Sequence, residues 1–279
     1  MHRSQLFALT LLALPASLPA QTAAMPATNL MHIYRESVKV GKGSAHNAHE
    51  TAWARALTAA KTPDRYIAMT SVTGPNEVWY VGIFPSWAAR DKNAEAVEAN
   101  TQATAIGDRF TAADAEFLTD SRALTLRSRP ELGFGPPADL PHMRFVSVTR
   151  TSVRPGHTQE FEDARKMAKA AHEAAHLSDS YSIWEATSGA PAGTFFMFVA
   201  RKSLAELDEA GTIHGAAYRT ALGGDEGQKK MAALQSSAVM SQQTDHFAFT
   251  PSQSLPMDTF IAADPGFWKP KAPAAKKTP

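Results

Sequence analysis

The stretch from Arg35 to Gly74 recurs, weakly but in register, from Arg150 to Gly189, and this internal repeat limits the chain to architectures built from two like units. At one constant offset Arg35/Arg150, Ser37/Ser152, Val38/Val153, Gly41/Gly156, Asp64/Asp179, Tyr66/Tyr181 and Gly74/Gly189 coincide, as do Ala56/Ala171, Ala59/Ala174 and Ala60/Ala175. Matched glycines and tyrosines mark matched turns and matched core positions.

The order of predicted elements is the same in each copy. In the first, Met31 to Val38 is extended, Gly41 and Gly43 break the chain, and a helix is predicted from about Ser44 to Lys61. Arg65 to Val72 and Glu77 to Phe84 then form a hairpin about the turn TGPN. A second helical region starts at Ser86 with Gly107 as its interruption, and Glu116 to Arg127 closes the unit as a strand. In the second copy Met143 to Ser152 is extended, PGH breaks the chain, and Thr158 to His176 is helical. Ser180 to Thr187 and Thr194 to Ala200 pair about SGAPAG, Ser203 to about Met240 is helical with breaks near Gly211 and Gly223, and Gln243 to Thr250 is the last strand. RSRPELGFGPPADLPH, between the copies, has the proline and glycine content of a linker.

Both ends differ in composition from the middle. His2 and Arg3, the apolar run Leu6 to Leu14 and the small residues of Pro15 to Ala24 read as an export signal, cut near Ala20 or after Ala24. The expected location is a bacterial periplasm or outside the cell, with no transmembrane anchor left after cleavage. Residues after Pro256 run into KPKAPAAKKTP, too poor in apolar side chains to fold alone, and are expected to be a mobile tail. The boundaries are thus 1–24 for the signal, 25–127 for the first repeat, 128–142 for the linker, 143–255 for the second repeat and 256–279 for the tail. The absence of cysteine excludes disulfides, thiolate metal sites and a cysteine nucleophile. A formal charge of +1, with acids and bases interspersed, argues against nucleic acid as a partner.

Strand, helix, hairpin, helix, strand is the split βαβ pattern of a ferredoxin-like module, whose helices cover one sheet face and leave the other apolar. Two such modules satisfy each other by packing sheet on sheet. The fold class expected is therefore α+β, two tandem ferredoxin-like βαββαβ repeats forming an α+β barrel. Through RESVKVGKG and its following helix, YIAMTSVTGPNEVWYVGIF, RTSVRPGH and YSIWEATSGAPAGTFFMFVA, the chain resembles the dimeric α+β barrel superfamily in a fused form. That resemblance implies a pocket within or beside the barrel, lined by residues of the first strand and first helix. Its members include cofactor-poor monooxygenases, haem-degrading enzymes, chlorite dismutase relatives and dehydratases, so fold alone assigns no reaction.

HEAAH, His172 to His176, is the sharpest motif. Two histidines one helical turn apart with an adjacent glutamate match the HExxH zinc pattern, although the helix is expected to end at LSDS and no third histidine follows at a zincin spacing. His172 and His176 are accordingly the candidate metal ligands. His46 and His49 form a second pair on the predicted first helix, where His46, His49, Trp53, Ala56, Leu57 and Ala60 share a face and Glu50 points elsewhere. His49 and His172 are the candidate catalytic groups, as acid, base or haem ligand, against the plainer reading of helix-face histidines bonded to a neighbouring strand. His46, Tyr66, Tyr80, Tyr181, Trp53 and Trp184 are candidate ligand contacts if the aromatic core leaves a cavity for a planar molecule. Trp79 and Tyr80 cannot share a sheet face. Arg35 and Arg150, inside the first strand of each copy, either cap the barrel through ion pairs to Glu36 or Glu185 or orient an anionic ligand.

There is no Walker phosphate loop, no GxGxxG opening a helix and no GxSxG elbow. The leading functional reading is an exported protein binding a small apolar or aromatic molecule in the barrel. One alternative is a monooxygenase-like or haem- or metal-handling enzyme using His49 or His172. The other is an assembly module recruiting a further chain. Haem or a divalent metal are the cofactors such histidines would take. Oligomeric state is left open by the sequence.

Overall fold

Alternation along β1 (Leu30–Val38) sets the two sides of the sheet: Met31, Ile33 and Arg35 face one way, and Glu36 and Val38 the other. The computed structural model describes residues 29–208 and 215–269. The export signal expected over 1–24, the predicted break at Gly211 and the end of the tail lie outside the described residues.

After β1 come α1 (Gly43–Ala59), β2 (Ile67–Ser71), β3 (Glu77–Phe84), α2 (Trp87–Ala99), α3 (Thr101–Asp114) and β4 (Leu118–Ser128). The second half runs β5 (Phe145–Val153), α4 (Thr158–Ala174), β6 (Ser182–Ser188), β7 (Thr194–Arg201), α5 (Gly215–Ala221), α6 (Gly224–Ala238) and β8 (Val239–Phe249). The eight strands close into an antiparallel barrel in the order β1, β3, β2, β8, β5, β7, β6, β4, with β4 returning to β1. Each half contributes four contiguous strands in the same relative order. Short seams join the halves, Met69 to Ser71 of β2 against Phe247 to Phe249 of β8, and Thr125 to Ser128 of β4 against Trp184 to Ser188 of β6.

Closure buries the inner faces of both halves as one core, in which Ile33, Trp79, Leu126, Val148, Phe196 and Phe247 interdigitate. The helices lie on the outer faces. Beneath α4, Phe161 packs on Phe195, and Ala164, Ala168 and Ala171 take the apolar side of α6. Small residues there let the helix axes approach. No helix among the described residues is long and apolar enough to cross a membrane.

Turn chemistry holds the seams. Gly74 (φ 79°) and Gly189 (φ 78°) sit in the two hairpin turns in the left-handed region. Each leans on the strand across its seam: a Cβ on Gly74 would lie 2.1 Å from the Asp245 side chain of β8, and one on Gly189 2.1 Å from the Ala123 carbonyl oxygen of β4.

Three sequence expectations are corrected. Gly107 does not interrupt the second helical region, because it lies inside α3 facing open space. The break falls at Asn100, whose side chain caps α3 at Ala103 N and donates to the Ala60 carbonyl. α6 stops at Ala238 and β8 starts at once, earlier than the predicted strand. The segment after Pro256 is folded as far as Trp268, through α7 (Asp258–Ala263) and α8 (Pro265–Trp268). Phe260 and Trp268 are buried against the end of the linker, with Trp268 Nε1 donating to the Pro141 carbonyl at 2.8 Å and Arg144 paired with Asp264. The lysine- and alanine-rich composition of the extreme end masked these aromatic anchors.

Candidate functional site

At the end of the barrel where β1, β2, β5 and β6 begin, the core is not filled. A cavity of about 550 Å³ opens there, walled by Met31, Met69, Ile83, Trp184, Phe198 and Phe249. The linker, from Pro130 to Leu140, and Met257 and Phe260 of the C-terminal segment roof it; Arg65, Lys169 and Glu173 also line it. Tyr66 and Tyr181, at matched positions of the two halves, line it as well. Burial raises the pKa of both phenols, and nearby Glu50 adds to the shift at Tyr66. Both therefore stay neutral donors at physiological pH. The volume and apolar wall match those of small-molecule sites.

The opposite end is plugged. Arg35 holds Glu77 through two short bonds, Nη2 to Oε1 at 2.8 Å and to Oε2 at 2.7 Å, and lies 4.6 Å above the Trp79 ring, whose Nε1 donates to Glu77 at 2.7 Å. Arg150 is exposed, with only a 3.5 Å contact to Gln243. Arg35 thus caps the barrel, but through Glu77. Glu36 pairs with His46 instead, and Glu185 with Arg127 and Arg129. Trp79 faces the barrel and Tyr80 lies beneath the helices.

A second constellation lies outside the barrel, between β1, α1 and α3. His46 Nε2 is 2.8 Å from Glu36 Oε2, and both side chains are buried. One turn on, His49 Nε2 is 3.0 Å from Asp114 Oδ1, 3.9 Å from Glu50 Oε1 and 3.2 Å from the Phe110 carbonyl oxygen. Trp53 stacks on Phe110 at 5.7 Å beside them. Burial, then the charges of Glu36 and Asp114, push the Glu50 carboxyl up to about 8, with the Tyr80 hydroxyl acting the other way. Burial and Glu36 likewise raise Asp114 to about 6, against His49 and His46. Tyr80 is itself driven well above its usual range by burial and by Glu50.

The candidates named from sequence therefore divide among four places. Tyr66, Tyr181 and Trp184 line the cavity. Arg35 and Arg150 meet at the far end. His46, His49 and Tyr80 join the cluster beneath α1, with Trp53 alongside it. His172 stands apart on α4, its Nδ1 bonded to the Ala168 carbonyl at 2.7 Å and its Nε2 3.8 Å from Asp179. His176 follows the helix end at φ 50°, exposed, so the structure does not bring the HEAAH residues together as a ligand set.

Sequence reasoning missed Glu36, Glu50 and Asp114. Glu50 was placed off the inward face because hydrophobicity picked out Trp53 and Leu57, whereas the fully buried positions of α1 are His46, Glu50 and Ala54. The pattern H-x-x-H-E, following a glutamate on the helix-covered face of β1, was the signal available.

The closed antiparallel barrel with outer helices defines an α+β barrel. No protein-family profile and no curated protein matches the chain. Among solved structures, an anthrone oxidase-like protein superposes with a TM-score of 0.51 at 10% identity, over 80% of this chain and 92% of its own. A candidate monooxygenase from Fusobacterium nucleatum gives 0.49 at 10% identity, over 81% and 94% of the two chains. Chlorite dismutase from Candidatus Nitrospira defluvii gives 0.45 at 7% identity, over 85% and 95%. The first likeness establishes the fold, and at such identities nothing of the chemistry. The residues of this cavity do not fit a histidine-ligated haem, because no histidine lines it among the described residues.

Proposed function

We propose that this chain is an exported α+β barrel made of two tandem ferredoxin-like repeats, and that it binds a small apolar or aromatic molecule in the cavity at the barrel end. The observation that carries the reading is the 550 Å³ cavity itself, left open in a barrel whose remaining interior is packed. Native interiors are close-packed, so an unfilled space of this size beside a filled core favours a ligand site over a packing defect. Met31, Met69 and Met257 give the wall adaptable, polarisable surface. The common offset of β1 with β5, and of α1 with α4, supports the duplicated reading.

Titration with the neutral fluorescent probe N-phenyl-1-naphthylamine tests this. Saturable one-to-one binding is expected, and Ala200→Trp, which projects an indole into the cavity, is expected to abolish it while leaving circular dichroism unchanged. Val81→Trp serves the same purpose from the opposite wall. Binding that does not saturate, or that survives both substitutions in folded protein, would refute the assignment.

A further inference from the structure

The cluster beneath α1 holds more ionisable side chains than the fold requires. In the second half, the position of His46 on its helix is taken by Phe161, which packs 4.5 Å from Phe195, and the position of Glu36 on its strand by Thr151. His49 is matched by Ala164 and Glu50 by Arg165, so the layer closes there with no carboxyl or imidazole at any of these positions. The first half instead brings three carboxyls and two imidazoles together there, and leaves two buried carboxylate oxygens, Glu50 Oε1 and Asp114 Oδ1, without a hydrogen-bond partner. Orphaned acceptors in such a place are costly unless something else binds them.

Both orphaned oxygens face the same nitrogen. His49 Nε2, Glu50 Oε1 and Asp114 Oδ1 belong to a triad whose donor atoms all lie within 4.8 Å of one another. A metal ion with bonds of about 2.0–2.2 Å to imidazole nitrogen and carboxylate oxygen holds its ligands roughly 3–4 Å apart, so the triad closes on an ion with shifts of about an ångström. Charge balances as well: a divalent cation, two carboxylates and a neutral imidazole sum to zero. The neighbouring Glu36 and His46 satisfy each other at 2.8 Å. His49 keeps 12% of its side-chain surface exposed, which leaves a route for the ion and a position for water. One nitrogen and two oxygens are the donors of zinc, manganese or iron(II), whereas calcium requires more oxygens.

We propose that His49, Glu50 and Asp114 form a binding site for one divalent transition-metal ion, between α1 and α3 and outside the barrel cavity. Glu36 and His46 support it from behind, and the Tyr80 hydroxyl lies beside Glu50.

The test uses the full mature chain made without a polyhistidine tag, stripped with chelator and titrated with Co²⁺. Visible d–d bands that saturate at one ion per chain are expected, with the ratio confirmed by elemental mass spectrometry. Glu50→Gln, which keeps the shape and removes the charge, is expected to weaken binding at least about a hundredfold. Asp114→Asn gives the same readout should Glu50→Gln fail to fold. The double variant His172→Ala/His176→Ala is expected to bind as the parent does, and binding of N-phenyl-1-naphthylamine in the barrel to be unaffected by Co²⁺. Absence of stoichiometric binding would overturn the proposal, as would binding that survives both carboxyl substitutions or is lost with His172 and His176.

Discussion

Replacing Glu50 by glutamine gives a sharp, pH-resolved consequence of the buried cluster. In metal-free protein the Glu50 carboxyl is raised from an ordinary value near 4.5 to about 8, chiefly by burial. The folded state therefore binds its proton more tightly than the unfolded chain does, and the sign follows. Stability associated with Glu50 is fully present below about pH 4.5 and is lost as pH rises toward 8. At about 1.4 kcal/mol for each pH unit of that window, the loss reaches roughly 5 kcal/mol as a ceiling, which water entry and side-chain relaxation reduce to about 2–3 kcal/mol. Glutamine cannot ionise, so the variant escapes the loss. The assay is urea denaturation of parent and Glu50→Gln in chelator, at half-unit steps from pH 4 to 9. The difference in stability should be constant below pH 4.5, grow in favour of the variant up to pH 8, and then level off. A difference that stays flat within about 0.5 kcal/mol across the window would refute the burial argument. Saturating Zn²⁺ should reverse the sign, since the ionised carboxylate then has its cation.

Two further predictions concern the scaffold. Gly189→Ala places a methyl 2.1 Å from the Ala123 carbonyl oxygen and 2.6 Å from Leu124 Cα at φ 78°, whereas Gly156→Ala at φ 85° meets nothing within 4 Å. The second should cost only the left-handed backbone strain, about 1 kcal/mol, and the first more than about 2 kcal/mol; equal costs by denaturant midpoint would contradict the tight β4–β6 seam. Arg129, 12% exposed, holds Glu162 at 2.5 Å and Glu185 at 2.6 Å. Arg129→Met should destabilise by about 1–3 kcal/mol by removing a charged donor from both carboxylates, which keep only Lys166 at 3.7 Å on Glu162 and Arg127 at 2.7 Å on Glu185, and a loss under about 0.5 kcal/mol would show that those cations and solvent suffice.

The barrel was legible in the sequence because it rests on periodicity: paired glycine turns, alternation in eight strands and a repeated element order. The site was less so. Cavities arise where side chains fail to meet, and nothing in the spacing of Met31, Met69 and Phe249 says that they leave room between them. The cluster beneath α1 was half visible, as His46 and His49, but Asp114 comes from a helix on the far side of a hairpin. Glu50 was set aside because apolar patterning treats every carboxylate as solvent-facing. The HEAAH motif shows the converse: ligand types at ligand spacing, with one imidazole tied to its own helix and the other past its end.

Native mass spectrometry of the gently isolated protein, with denaturing spectra of whatever dissociates, tests the central claim most directly. The account predicts one small organic molecule per chain, apolar or aromatic, that is absent from the Ala200→Trp variant. A bare chain that also takes up no N-phenyl-1-naphthylamine saturably would contradict it, as would a bound molecule that the Ala200→Trp variant retains.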